Sequence, residues 1–174
     1  AVVKRGRAGS IDVAYGKLNI GEAIAIPVID AVKKQVKDDR VVILDAPPGT
    51  SCSVVTSVMN ADFCLLVTEP TPFGLNDLKL AVGLVKKLGV PAGVVVNRAS
   101  IGDESVQQYC REEGIPVLLE IPFEERFAKV YAKGKLLCEE YPELQEQFLN
   151  LFADIEGRLE RERDSRYQWK RRNW

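Results

Sequence analysis

Four short apolar runs constrain the fold of this chain more than anything else in it: Val41–Leu44 (VVIL), Phe63–Val67 (FCLLV), Ala92–Val96 (AGVVV) and Pro116–Ile121 (PVLLEI). They lack the polar alternation of a strand with one wet face, which suits strands buried on both faces of a parallel sheet. Segments of helical period separate them. Val28, Ile29, Val32 and Val36 stripe one, and Leu78, Ala81, Val82, Val85 and Leu88 stripe another that stops at Gly89. Asp103 is placed to cap a shorter helix carrying Val106, Tyr109 and Cys110 and closed by Gly114. With right-handed crossovers, this order gives an α/β fold, a doubly wound, mainly parallel sheet flanked by helices.

The flanks are less regular. Residues 3–22 are punctuated by glycine and alternate at Ile11, Val13 and Tyr15, as expected of a hairpin or edge strand leading into the first helix. Past the last apolar run, Glu124–Lys133 reads as a short helix stopped by Gly134. A longer helix starts near Pro142, with Leu144, Phe148, Leu151, Phe152, Ile155 and Leu159 on one stripe. The expected division is one domain over residues 1–155 and a charged C-terminal tail over 156–174. That tail reads as a frayed helix end or mobile segment, with a basic–aromatic partner contact as the sharper alternative.

Composition removes several chemistries. The 174 residues include no histidine, so imidazole bases, Ser-His-Asp and Cys-His pairs and histidine metal ligands have no source within this chain. A formal net charge of −1 offers no field for nucleic acid or anionic lipid. No apolar run is long enough to span a bilayer and no signal-peptide pattern is present, so a cytoplasmic protein is the expectation. Cys52, Cys64, Cys110 and Cys138 form no C-x-x-C pair, and reduced, mostly buried thiols are expected, with Cys52 the one nearest a ligand site.

In open α/β sheets ligands sit beyond the carboxyl ends of the strands. Read in order, those ends are Asp45-Ala-Pro-Pro-Gly-Thr50, Thr68-Glu69-Pro-Thr71, Asn97-Arg98 and Pro122-Phe123. A carboxylate such as Asp45 at a strand end can hold a hydrated magnesium ion that bridges nucleotide phosphates. Gly49 leaves its N–H open to a terminal phosphate, and Thr50 and Ser51 start the following helix. Asn97 offers donor and acceptor to a base edge, and Arg98 can stack over a ring.

Taken together, D-x-P-P-G-T, T-E-P-T-x-x-G-L-x-D and V-x-N-R in this order resemble the latter half of a MinD/ParA-type P-loop ATPase. More narrowly, they look like the MinD-superfamily ATPases that carry an inserted ferredoxin-like domain. The resemblance runs from Gly16–Ala23 through Ile121–Lys135, about three-quarters of the chain. It implies an ATP-binding, ATP-hydrolysing switch protein using magnesium, with Asp45 as the metal-associated switch acid and catalytic group. It further implies that Pro48, Gly49 and Thr50 lie against the phosphates, and that Asn97, Arg98, Pro122 and Phe123 form the adenine pocket. A four-iron cluster would belong to an upstream ferredoxin insert. The chain departs from the family at one place: it has no G-x-x-x-x-G-K-[ST], and Tyr15-Gly16-Lys17-Leu18 is a poor substitute. On that basis this chain alone is expected to be inactive, and a homodimer or a partner completing the sheet is expected. The alternative is a non-catalytic interaction module with a vestigial nucleotide site.

Overall fold

The computed structural model of the chain describes residues 1–22, 24–36 and 39–172, with side chains through residue 162. The chain divides into two compact units, Ala1–Ala61 with Leu84–Val90, and Asp62–Gly83 with Pro91–Trp174.

In the first unit, β1 (Val2–Ala8) and β2 (Ile11–Lys17) form an antiparallel hairpin in register Val2↔Lys17 through Ala8↔Ile11. Gly9, at φ +59, makes the two-residue turn that a residue with a Cβ would strain. Gly16 has a second role: a Cβ there would lie 2.5 Å from Val28 Cγ2, so its absence lets the ribbon approach α1 (Ile26–Lys33). The helix α2 (Cys52–Val58) completes the unit. Lys33 Nζ donates to Thr56 O at 2.7 Å, Ser57 O at 3.1 Å and Met59 O at 2.8 Å. One amine on α1 thus satisfies carbonyls that the end of α2 would leave without partners.

The expected strand at Val41–Leu44 is not formed. Residues 41–47 carry no regular structure, and Val41 and Ile43 are 68% and 90% exposed. An apolar run becomes a strand only when a neighbour takes up its N–H and C=O groups. No described strand pairs with this one. Asp45 therefore follows an exposed, irregular segment rather than a buried strand.

The second unit holds a parallel sheet in the order β3-β4-β5, with β3 Cys64–Thr68, β4 Ala92–Asn97 and β5 Val117–Ile121. These strands match three of the four apolar runs to within a residue at most ends. The helix α3 (Pro72–Leu88) crosses from β3 to β4, and α4 (Ser105–Glu113) from β4 to β5. Leu78 and Val82 of α3, Val106 and Cys110 of α4, and Val94 and Val96 of β4 make one buried cluster. Burying each of the larger side chains contributes about 1.5–3 kcal/mol relative to exposure. Both crossovers join adjacent strands in the same direction, so right-handedness puts both helices on this face. The α4 helix closes at Gly114, φ +66, as expected; its N-cap is Glu104, not the expected Asp103, which stands one residue earlier and accepts the Ser105 N–H with Oδ1 at 3.0 Å.

The chain continues through α5 (Glu125–Tyr131), α6 (Leu137–Glu140) and α7 (Pro142–Arg172), which packs against α6 and β5. The α7 helix runs through the charged segment after residue 155, supported by an Arg158–Asp154 pair at 3.1 Å. The basic–aromatic contact considered for the tail falls outside the described side chains. At the base of α7, Arg126 lies 4.5 Å from the Tyr141 ring centroid and pairs with Glu124 and Glu143. No helix among the described residues is long and apolar enough to cross a membrane.

Candidate functional site

The site residues expected from sequence fall into two groups, one in each unit. In the first unit Asp45 is exposed, and Pro47 and Pro48 carry the chain to Gly49. Gly49 sits at φ +90, and no atom lies within 4 Å of where its Cβ would be. Glycine is thus favoured by the backbone there, and the space where a side chain would stand is open. Thr50 and Ser51 follow, and Ser51 takes the extended N-cap conformation, φ −69 and ψ 169, that starts α2. Cys52, the first residue of the helix, is exposed.

The second group lies at the carboxyl ends of β3 and β4. Thr68, Glu69, Thr71, Gly74, Asp77 and Asn97 line an open cleft of about 340 Å³. Its wall is a tight turn. Thr68 Oγ1 donates to Gly74 O at 2.9 Å, and Gly74 N donates to Thr71 Oγ1 at 3.0 Å. A Cβ on Gly74 would stand 2.3 Å from Glu69 O, and one on Gly102 would stand 2.0 Å from Pro70 O. Two glycines therefore allow the backbone of Glu69-Pro70 to be approached closely from both sides.

Arg98, directly after Asn97, adopts the left-handed conformation φ 54, ψ 38, unusual for a residue with a side chain. Its guanidinium carbon lies 5.7 Å from the centroid of the Phe123 ring, and its Nε is 3.4 Å from Glu69 Oε1. Phe123 is fixed by its own N–H, which donates to Ser100 Oγ at 3.0 Å. The structure thus brings Asn97, Arg98 and Phe123 to one rim, with the half-buried Pro122 beside Phe123. Asp45, Pro48, Gly49 and Thr50 are gathered separately in the first unit.

Sequence reading missed Glu69 as a partner of Arg98. The signal was present: in the parallel register Thr68↔Val96, the residues that follow at the two strand ends are Glu69 and Asn97-Arg98. It also missed the close approaches at Gly74 and Gly102, which involve residues distant in sequence.

Chemically, the rim offers a planar cation on an aromatic face, an amide, and a carboxylate that fixes the cation. Such groups together can stack and hydrogen-bond a flat ring. The Asp45–Thr50 segment offers one carboxylate and an unobstructed backbone.

No protein-family model matches the chain. An uncharacterised protein of Methanocaldococcus jannaschii is 36% identical over 122 residues, spanning 69% of this chain and 42% of that protein. An iron–sulfur cluster carrier protein of Pyrococcus horikoshii is 28% identical over 138 residues, 66% of this chain and 47% of the carrier. Among solved structures, the cell division ATPase MinD of Pyrococcus furiosus superposes with a TM-score of 0.60 at 26% identity, over 74% of this chain and 57% of MinD. The chain spans about half the length of the curated relatives it matches.

Proposed function

We propose that this chain belongs to the MinD/ParA-type P-loop ATPase superfamily, which its likeness to MinD and to an iron–sulfur cluster carrier protein supports, and that it supplies the switch acid and the purine pocket of an ATP-binding, ATP-hydrolysing switch protein. The observation that carries this reading is the rim at the ends of β3 and β4, where Asn97 lines the cleft and Arg98 lies over Phe123. There Asn97 would read the adenine edge, while Arg98, Pro122 and Phe123 would wall the base. Pro48, Gly49 and Thr50 would lie along the phosphates. The domain would cover residues 1–155, with 156–174 as its charged extension.

Magnesium fits the donor present. It retains most of its waters and takes one or two carboxylates together with phosphate oxygens, so Asp45 as an exposed lone acid suffices without a protein cage. The ion would neutralise phosphate charge, and Asp45 would hold its hydration shell in place. The phosphate loop with its lysine would come from outside these residues. Without it, little here neutralises a triphosphate.

An iron–sulfur carrier among the relatives supports linking the whole protein to iron–sulfur chemistry. A four-iron cluster would sit in a ferredoxin-like insert outside this chain, which gives the finer placement within the superfamily. Cytoplasmic location and a homodimer driven by the nucleotide cycle complete the proposal.

Titration of the full-length protein with Mg-ATP, with phosphate release followed in parallel, tests this reading. Micromolar binding is expected, with turnover abolished by Asp45→Asn and affinity lowered by Asn97→Ala. Absence of ATP binding would refute it. The isolated 174-residue chain should show no turnover, and micromolar affinity with turnover there would refute the external loop. The exposed Val41–Leu44 run favours a second reading, an interaction module that pairs this segment with a strand of a partner or second copy. A clean monomer at high concentration in sedimentation would count against it.

A further inference from the structure

We propose that Glu69 is a positioning residue for the base pocket: it holds the Arg98 guanidinium as a neutralised, planar platform that stacks a purine ring instead of binding phosphate. This rests on the nucleotide-site reading above and adds to it a residue and a discrimination that the sequence did not suggest.

Glu69 and Pro70 form a turn whose carbonyls are approached so closely by Gly74 and Gly102 that neither glycine could carry a Cβ without displacing them. The Thr68 hydroxyl and the Thr71 side chain tie the same turn to the start of α3. The backbone that carries Glu69 is thus closely held. Its partner Arg98 is long, with several rotatable bonds, and its side chain is 50% exposed. Left alone, such a side chain would sample many rotamers, and ordering it on ligand binding would cost affinity. Two contacts order it beforehand. The Glu69 carboxylate meets Nε at 3.4 Å on one edge, and the Phe123 ring lies 5.7 Å away on one face. Half of the Arg98 side-chain surface stays exposed, which leaves room for a second ring.

The charge balance gives the discrimination. A free guanidinium at the mouth of a nucleotide cleft would attract phosphate oxygens as readily as a ring. The ion pair with Glu69 has no net charge as a whole, which weakens its pull on phosphate and leaves the stacking face to decide what it binds. Removing the acid therefore has opposite consequences for the two parts of a nucleotide. Stacking loses its ordered platform, while an unpaired cation gains attraction for phosphate.

The full-length protein, with Glu69→Gln, Arg98→Ala and the double variant, tests this by equilibrium titration with Mg-ATP and with inorganic tripolyphosphate. Glu69→Gln keeps the side-chain volume, and circular dichroism melting checks that the fold is intact. An exposed ion pair of this kind corresponds to a change of up to about fivefold, so Glu69→Gln should weaken ATP binding by about twofold to fivefold. Tripolyphosphate affinity should stay the same or rise. In the Arg98→Ala background, Glu69→Gln should change ATP affinity no further, because Glu69 acts through Arg98. Unchanged ATP affinity, an equal loss for tripolyphosphate, or a full additional loss in the Arg98→Ala background would each overturn the proposal. A wild-type protein that binds no ATP would overturn the nucleotide-site reading and this inference with it. Wild-type binding with an indifferent Glu69→Gln variant would overturn the inference alone.

Discussion

Two glycines on one helix allow a controlled test of how the cleft is built. Gly74 and Gly83 both belong to α3 (Pro72–Leu88). A Cβ on Gly83 would meet nothing within 4 Å, whereas one on Gly74 would stand 2.3 Å from Glu69 O and 3.0 Å from Thr68 Oγ1. Replacing glycine by alanine in a helix stabilises by about 0.5–1 kcal/mol, so Gly83→Ala should gain that much. Gly74→Ala receives at most the same gain, but the Glu69 carbonyl must retreat by about 0.7 Å to restore the closest separation that real Cβ atoms show. Overpacking of this kind costs about 1–3 kcal/mol. The two variants should therefore differ by roughly 1–3 kcal/mol in urea unfolding followed by circular dichroism, with Gly74→Ala the less stable. The displaced carbonyl belongs to Glu69, so Gly74→Ala should also weaken Mg-ATP binding while Gly83→Ala leaves it unchanged. Equal unfolding midpoints for the two variants would refute the claim that the close approach at Gly74 shapes the cleft.

Lys33→Met removes the amine that serves three carbonyls at the end of α2; a loss of about 1–2 kcal/mol and faster amide exchange in α2 than in α3 are expected from hydrogen-exchange mass spectrometry. Among the thiols, Cys52 is exposed and Cys110 is buried, and burial pushes the Cys110 and Cys64 thiols up. Alkylation at neutral pH, mapped by mass spectrometry, should label Cys52 first and Cys110 only on unfolding. Hydrogen bonds from Ser105 hold the Asp103 carboxyl below its ordinary value of 3.8. The stabilisation this gives α4 is present above pH 3.8 and lost as pH falls through the lower folded value. The stability difference between wild type and Asp103→Ala should accordingly shrink in acid titrations below that pH.

The sheet and its helices were legible in sequence wherever local pattern and tertiary context agree. FCLLV, AGVVV and PVLLEI became β3, β4 and β5 because each finds a neighbour, and the Leu78–Val82 stripe faces the same cluster as Val94 and Val96. VVIL has the same local character yet forms no strand, because pairing is a property of two segments and the pattern of one cannot supply the other. The charged run after residue 155 read as a frayed helix end or mobile segment; its backbone is helical to Arg172, and Arg158–Asp154 form an i,i+4 pair at its start. At the rim, residue types suggested a ligand site, and the structure brings Asn97, Arg98 and Phe123 to one edge. The ion pair from Glu69 and the clearance at Gly74 and Gly102 depend on distances across the chain, which no spacing rule encodes.

The α7 helix has a mechanical consequence. Among its described side chains the buried ones, Leu144 and Leu151, lie in the first three turns, with Ile155 and Leu159 half-buried beyond them, while the helix runs from Pro142 to Arg172. Thirty-one residues at the α-helical rise span about 46 Å, so a tilt of about 10° at the base would sweep the far end through about 8 Å. Arg126, between Tyr141 and Glu143 at that base, sits at the fulcrum. A displacement there too small to alter the packing of β5 would still be amplified at the far end of the lever.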